Sequence, residues 1–234
     1  MRNSFIGWFK KIHTDTRGMT FLELMVVIAI FGMIAGVVLF NFKDFTGGIS
    51  LQNTAQEIAL RITQAQRYAI SGNVARSTLS STGNEVRPTF GVYFDSLDGS
   101  HSGVSFDSAI TPDKQFILFA DIPPTDDGLF ERNTCGQAAS TECLELVKIN
   151  TGDFISDICA NEKSNGGINA TCDIDMPVNI TFSRPFPDAH FDEIYSGGIP
   201  VAVDDLEIKI QSIRGQSKTI IIWKTGQISV ESTS

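Results

Sequence analysis

Leu24 to Phe40 is a run of 17 apolar residues. No face of such a segment is polar enough to meet water, so it must lie in lipid or among similar helices. From Met19 to Phe42 only Thr20, Glu23 and Asn41 break the apolar character. That length approaches a bilayer span, for which about 20 residues are needed. One carboxylate, Glu23, sits in the opening turns, where no Lys or Arg lies one helical turn away. An acid in hydrocarbon is costly unless paired, so its partner has to come from elsewhere. A secretory signal peptide would have a shorter apolar region with a small-residue cleavage site after it. Here the small residue, Gly18, precedes the run. Cleavage after Gly18 would place a new α-amino group on Met19, four residues from Glu23. That cation could pair with its own Glu23 or with Glu23 of an adjacent subunit, in which case assembly itself satisfies the acid.

Charge is sorted along the chain in the sense expected of a membrane protein with its start inside and its body translocated. Residues 1–18 carry four basic residues against one acidic, a net of +3, and the remaining 14 basic and 26 acidic residues give −12. An acidic body repels phosphate backbones, which disfavours nucleic acid as a partner.

Past Lys43, Leu51, Ala55, Ile58, Ile62, Ala65 and Ala69 recur at steps of three and four, with Gln52, Gln56, Arg61, Gln64 and Arg67 on the other face. This predicts an amphipathic continuation of the helix, bent or locally melted at Gly47-Gly48 and ended at Ser71-Gly72-Asn73. From Thr20 to Ser71 it would be a rod of about 75–80 Å. Later segments read as strands: Thr89–Asp95, Gln115–Asp121, Leu144–Asn150, and a half-buried strand with Val178, Ile180 and Phe182 inward and Asn179, Thr181 and Ser183 outward. Leu206, Ile208 and Ile210 alternate with Glu207, Lys209 and Gln211, and Thr225-Gly226 marks a hairpin between Lys218–Lys224 and Gln227–Val230. The fold class is α+β, with a long N-terminal helix, transmembrane then amphipathic, packed on an antiparallel β-sheet or sandwich head. The parts are a leader at 1–18, an apolar helix at 19–42, its amphipathic continuation at 43–73 and a β-rich head at 74–234.

All four cysteines, Cys135, Cys143, Cys159 and Cys172, lie in loop-like, Asn/Gly/Ser-rich sequence of the C-terminal half. An even count in a translocated domain points to two disulfides. Of the three connectivities, nearest-neighbour pairing is preferred, and a Cys159–Cys172 bridge would contribute about 3 kcal/mol in the chain-entropy model. Free thiols in a cytosolic protein are the alternative.

The stretch Arg17-Gly18-Met19-Thr20-Phe21-Leu22-Glu23, with the apolar run behind it, resembles the processing motif of type IV pilins and pseudopilins. The resemblance implies that prepilin peptidase cuts between Gly18 and Met19 and methylates the Met19 amine. It also implies that Glu23 acts in assembly by neutralising a neighbour's N-terminus. The partners implied are that peptidase, other pilin or pseudopilin subunits, an inner-membrane assembly platform, and lipid before assembly. The implied location is the cytoplasmic membrane, single-pass with the N-terminus inside, and afterwards an extracytoplasmic filament. Met19 departs from the commoner Phe, and no proline interrupts Gly32 to Phe40 as in many major pilins. Gly32 and Gly36 form a G-x-x-x-G pair that permits close helix approach. More diffusely, "AQRYAISGN", "RPTFGVYFD", "FILFADIPPTDDG" and "SKTIIIWKTGQISV" are similar to the H-type and FimT-like minor pseudopilins. The segment Cys135 to Cys172 has no counterpart there.

No catalytic motif occurs, and His101 and His190 are isolated, so no enzyme activity and no cofactor is expected. No CxxC occurs and only His101 and His190 lie outside the leader, which disfavours zinc; calcium could bind at Asp121, Asp126 and Asp127 before Gly128, or at Asp95 and Asp98 before Gly99, although acidic turns are usually solvated. Asn169-Ala170-Thr171 and Asn179-Ile180-Thr181 fit the glycosylation pattern. Three rival readings remain beside the pilin one: a DNA-binding minor pilin of a competence system, a membrane-anchored enzyme, and an exported adhesive module.

Overall fold

The computed structural model describes residues 19–71, 88–95, 97, 110–122, 128–130, 135, 142–164, 167–172, 177–192, 195–196, 199–200 and 203–232. Two compact units divide the chain, Met1–Phe45 and Thr46–Ser234. In the first, the described residues are helical from Phe21, the start of α1 (Phe21–Ser71). The stretch Phe21–Leu39 has a mean hydropathy of 2.6 and is 0% buried, and it is long and apolar enough to cross a membrane.

The second unit holds the rest of α1 and the strands. These are β1 (Thr89–Phe94), β2 (Gln115–Asp121) after a 3-10 turn at Pro112–Lys114, β3 (Cys143–Lys148), β4 (Phe154–Ser164), β5 (Gly167–Thr171) and β6 (Val178–Phe182). There follow β7 (Ala189–Asp192), β8 (Tyr195–Ser196), β9 (Ile199–Pro200), β10 (Asp205–Gln211), β11 (Ser217–Trp223) and β12 (Ile228–Ser232). One five-stranded sheet runs β3-β2-β1-β6-β7, a second runs β12-β11-β10-β4-β5, and β8 pairs with β9. Every pairing is antiparallel.

A single core joins the three layers. The stripe Leu51, Ala55, Ile58, Ile62, Ala65 and Ala69 is buried, none of it above 2% exposed. It packs with Phe90, Val92, Phe94, Phe116 and Leu118 of the first sheet and Ile158, Leu206, Ile208, Ile210, Ile220 and Ile222 of the second. The period of 3.6 in the helix and of 2 in β10 and β11 aims these side chains at one another.

Four local expectations are corrected. Gly47 and Gly48 are helical, with no melted turn. An alanine-sized side chain at either would meet only Arg214 and Gln216 side chains, at 3.7 Å or beyond, so neither glycine is forced by space. The strand β6 is buried along both faces, not half-buried. On its far side Tyr93, Ile117, Phe119 and Phe130 form a second cluster, with Cys135, Cys143 and Leu146 packed against it. Asn179 tolerates this burial because its Oδ1 accepts the Phe130 amide at 3.0 Å. The Cys-bearing segment is not wholly loop: Cys143 lies in β3 and Cys159 in β4. Lastly, β3 begins one residue earlier than expected and ends two residues earlier.

Candidate functional site

Thr20 opens α1. Its Oγ1 accepts the Glu23 amide at 3.3 Å, and its carbonyl accepts the Leu24 amide at 3.1 Å. This is an N-cap, which satisfies a donor that the first turn would otherwise leave bare. Thr20 therefore has a backbone role that the sequence reading missed, although the T-x-x-E spacing of a capping box announces it. Glu23 falls in the first turn, the favourable end of the helix dipole for an anion. It is exposed, and its carboxylate meets no cation among the described residues. Met19, 59% exposed, directly precedes the cap. Gly18 and the leader lie outside the described residues. An added Cβ at Gly32 or Gly36 would find nothing within 4 Å, so both leave open room on α1.

In the head, three hydroxyls converge on one carboxylate oxygen. Asp153 Oδ2 accepts Ser50 Oγ at 3.0 Å, Thr54 Oγ1 at 2.8 Å and Thr151 Oγ1 at 2.8 Å. This ties α1 to the turn before β4. Two turns further on, Arg61 Nη1 meets Glu145 Oε2 of β3 at 2.9 Å. Gln66 Nε2 donates to the carbonyls of Pro187 and Gly226 at 2.9 and 2.8 Å.

The bridges are Cys135–Cys143 and Cys159–Cys172, and no cysteine is free. The first packs Cys135 and Cys143 against the outer aromatic cluster, and the second ties β4 to the residue after β5. Asp157, Cys159 and Cys172 place their ligand atoms within 4.8 Å of one another, but both sulfurs are spent on the bridge.

The acidic turns considered for calcium are not solvated where they are described. Asp121 is 0% exposed and its Oδ2 accepts the Gly128 amide at 2.6 Å. Asp95 is 2% exposed, and its Oδ1 accepts the Tyr93 hydroxyl at 3.3 Å. Asp98, Gly99, Asp126 and Asp127 lie outside the described residues, as does His101. His190 is exposed, with Nε2 3.4 Å from Ser183 Oγ. Asn179 of the second glycosylation pattern is 1% exposed inside β6, where a glycan cannot attach to the folded head.

A family model described as the prokaryotic N-terminal methylation motif matches residues 14–39. That span covers the sequence around Gly18 and Met19, the Thr20 cap, Glu23 and the apolar first part of α1, and it fits the class III signal of type IV pilins. With the α+β head behind it, the chain has the layout of a pilin-like or pseudopilin-like processed subunit, for which the motif implies a prepilin peptidase and assembly with other pilins. No curated protein and no solved structure matches the chain.

Proposed function

We propose that this protein is a minor subunit of a type IV pilus or a type II secretion pseudopilus, inserted N-in/C-out, cut after Gly18, methylated on Met19 and drawn into a filament by α1. Its role is structural and non-catalytic. The head is of the H-type or FimT-like kind, and it faces outward from the filament. The observation that carries this reading is a first-turn carboxylate that meets no cation among the described residues, inside a methylation motif. A helix bundle can hold such an acid only if a neighbour brings the charge, and a freshly cut Met19 amine supplies it.

Mass spectrometry of the membrane-extracted chain tests the processing. The expected mature N-terminus is N-methylated Met19, and a chain that keeps residues 1–18 in cells with an active prepilin peptidase overturns the reading. Glu23→Ala is expected to remain in the membrane but be lost from sheared filaments by about tenfold or more, as befits an interaction that decides assembly. Equal incorporation of the variant would remove Glu23 from the assembly step.

A further inference from the structure

We infer that the Cys159–Cys172 bridge is chemically polarised, and that Cys172 is the residue at which a disulfide-bearing thiol oxidant engages this protein. The two sulfurs differ in access and in the charged group found beside each. Cys159 is 0% exposed on β4, its Sγ 3.5 Å from Asp157 Oδ2, and Glu207 is its partner across the β4–β10 ladder. Negative charge on that buried sulfur is opposed by the Asp157 carboxylate, which also lies within 4.8 Å of Cys172 Sγ. Cys172 is half-buried, and Lys209 Nζ lies 3.7 Å from its Sγ. The same ammonium is 3.6 Å from Asp157 Oδ2, so it is anchored on the outer face of the second sheet beside the bridge. A thiolate is the species that attacks, and access decides which sulfur is reached. Both conditions select Cys172.

The oxidation runs in two balanced exchanges. The Cys172 thiolate attacks one sulfur of the oxidant's disulfide, forming a mixed disulfide and expelling the oxidant's other sulfur as thiolate. Cys159 then loses its proton to solvent base and attacks the Cys172 sulfur, closing the bridge and releasing the second oxidant thiolate. In reverse, the reachable sulfur is Cys172, but its attack must expel a thiolate at Cys159 beside Asp157, so the closed bridge resists reduction. The inference does not depend on the pilin reading.

The test uses the full chain in nonionic detergent, reduced with phosphine until an alkylated aliquot shows four free thiols, freed of the phosphine, then pulsed with oxidised glutathione, acid-quenched and mapped by peptide mass spectrometry. Early glutathione adducts are expected on Cys172 over Cys159 by roughly tenfold. Lys209→Met is expected to slow capture at Cys172 severalfold while leaving Cys143, on the other sheet, and its bridge partner Cys135 unchanged. Adducts equal on the two cysteines or richer on Cys159 overturn the inference, as does a Cys172 rate indifferent to Lys209→Met. Should Lys209→Met unfold the head, the ratio in the unsubstituted chain decides alone.

Discussion

Gly215 and Gly226 share a φ of +80° and differ in everything around them. An added Cβ at Gly215 meets nothing within 4 Å, whereas at Gly226 it strikes the Pro187 carbonyl and comes within 2.6 Å of Gln66 Nε2. Asparagine adopts positive φ more readily than other side chains. Gly215→Asn is therefore expected to cost less than about 1 kcal/mol. Gly226→Asn should cost about 1–3 kcal/mol more, because overpacking is added to the backbone penalty. Urea unfolding followed by circular dichroism measures both, and equal losses would show that φ alone governs the two sites. The turn at Thr225-Gly226 was legible because Gly after Thr between apolar strands marks a hairpin. The crowding was not, because Pro187 and Gln66 reach Gly226 from 39 and 160 residues away and no local pattern encodes that approach.

At the scale of elements, α1 is fixed to the head by apolar burial along one stripe and by the Asp153 oxygen that gathers Ser50, Thr54 and Thr151. Thr54 and Asp153 are 4% and 3% exposed, so losing the acceptor leaves the buried Thr54 hydroxyl with only Thr151 Oγ1, at 3.1 Å. Asp153→Ala is expected to destabilise the head by about 2–3 kcal/mol. Thr54→Val alone should cost about 1 kcal/mol, and a double-mutant cycle should return a coupling of about 0.5–3 kcal/mol. A coupling near zero would mean that the two side chains do not share a bond in solution. The stripe itself was readable, since residues at three and four spacing report one helix face directly. The two-faced burial of β6 and the strand at β4 were not. Alternation shows which residues can face a core, but Asn179 and Thr181 are both buried, and Asn179 bonds Phe130, a member of the second cluster that comes from a connection with no strand pattern. In β4 the outward residues Asp157, Cys159 and Asn161 give the sequence a loop-like polarity. They lie within a ladder from Phe154 to Asn161, opposite Gln211 to Asp205. Asn161 Nδ2 satisfies Asp205 and Glu207 at 2.8 Å each, so the polar residues on this face bind one another and need no loop to reach water.

For the whole molecule the governing quantity is the charge left once residues 1–18 are removed, −12. Copies of such a chain repel one another, and this long-range term is screened over about 10 Å at 0.1 M salt. In the proposed filament the attraction would act at short range, through the apolar run and a Glu23 pairing, and screening would weaken it far less where it is held in a low-dielectric setting. Association of the cleaved chain should therefore strengthen as ionic strength rises from about 0.01 to 0.15 M, the range over which the Debye length falls from about 30 to 8 Å. Light scattering in nonionic detergent reads this directly. A nucleic-acid binder behaves in the opposite sense, since its affinity falls with salt as counterions are released. Filter binding of the same preparation to DNA is expected to stay flat and weak across the series. The two salt responses have opposite signs, so one titration separates an assembling subunit from a DNA-capturing one. A complex with DNA that tightens as salt is withdrawn would favour the competence reading over the filament one.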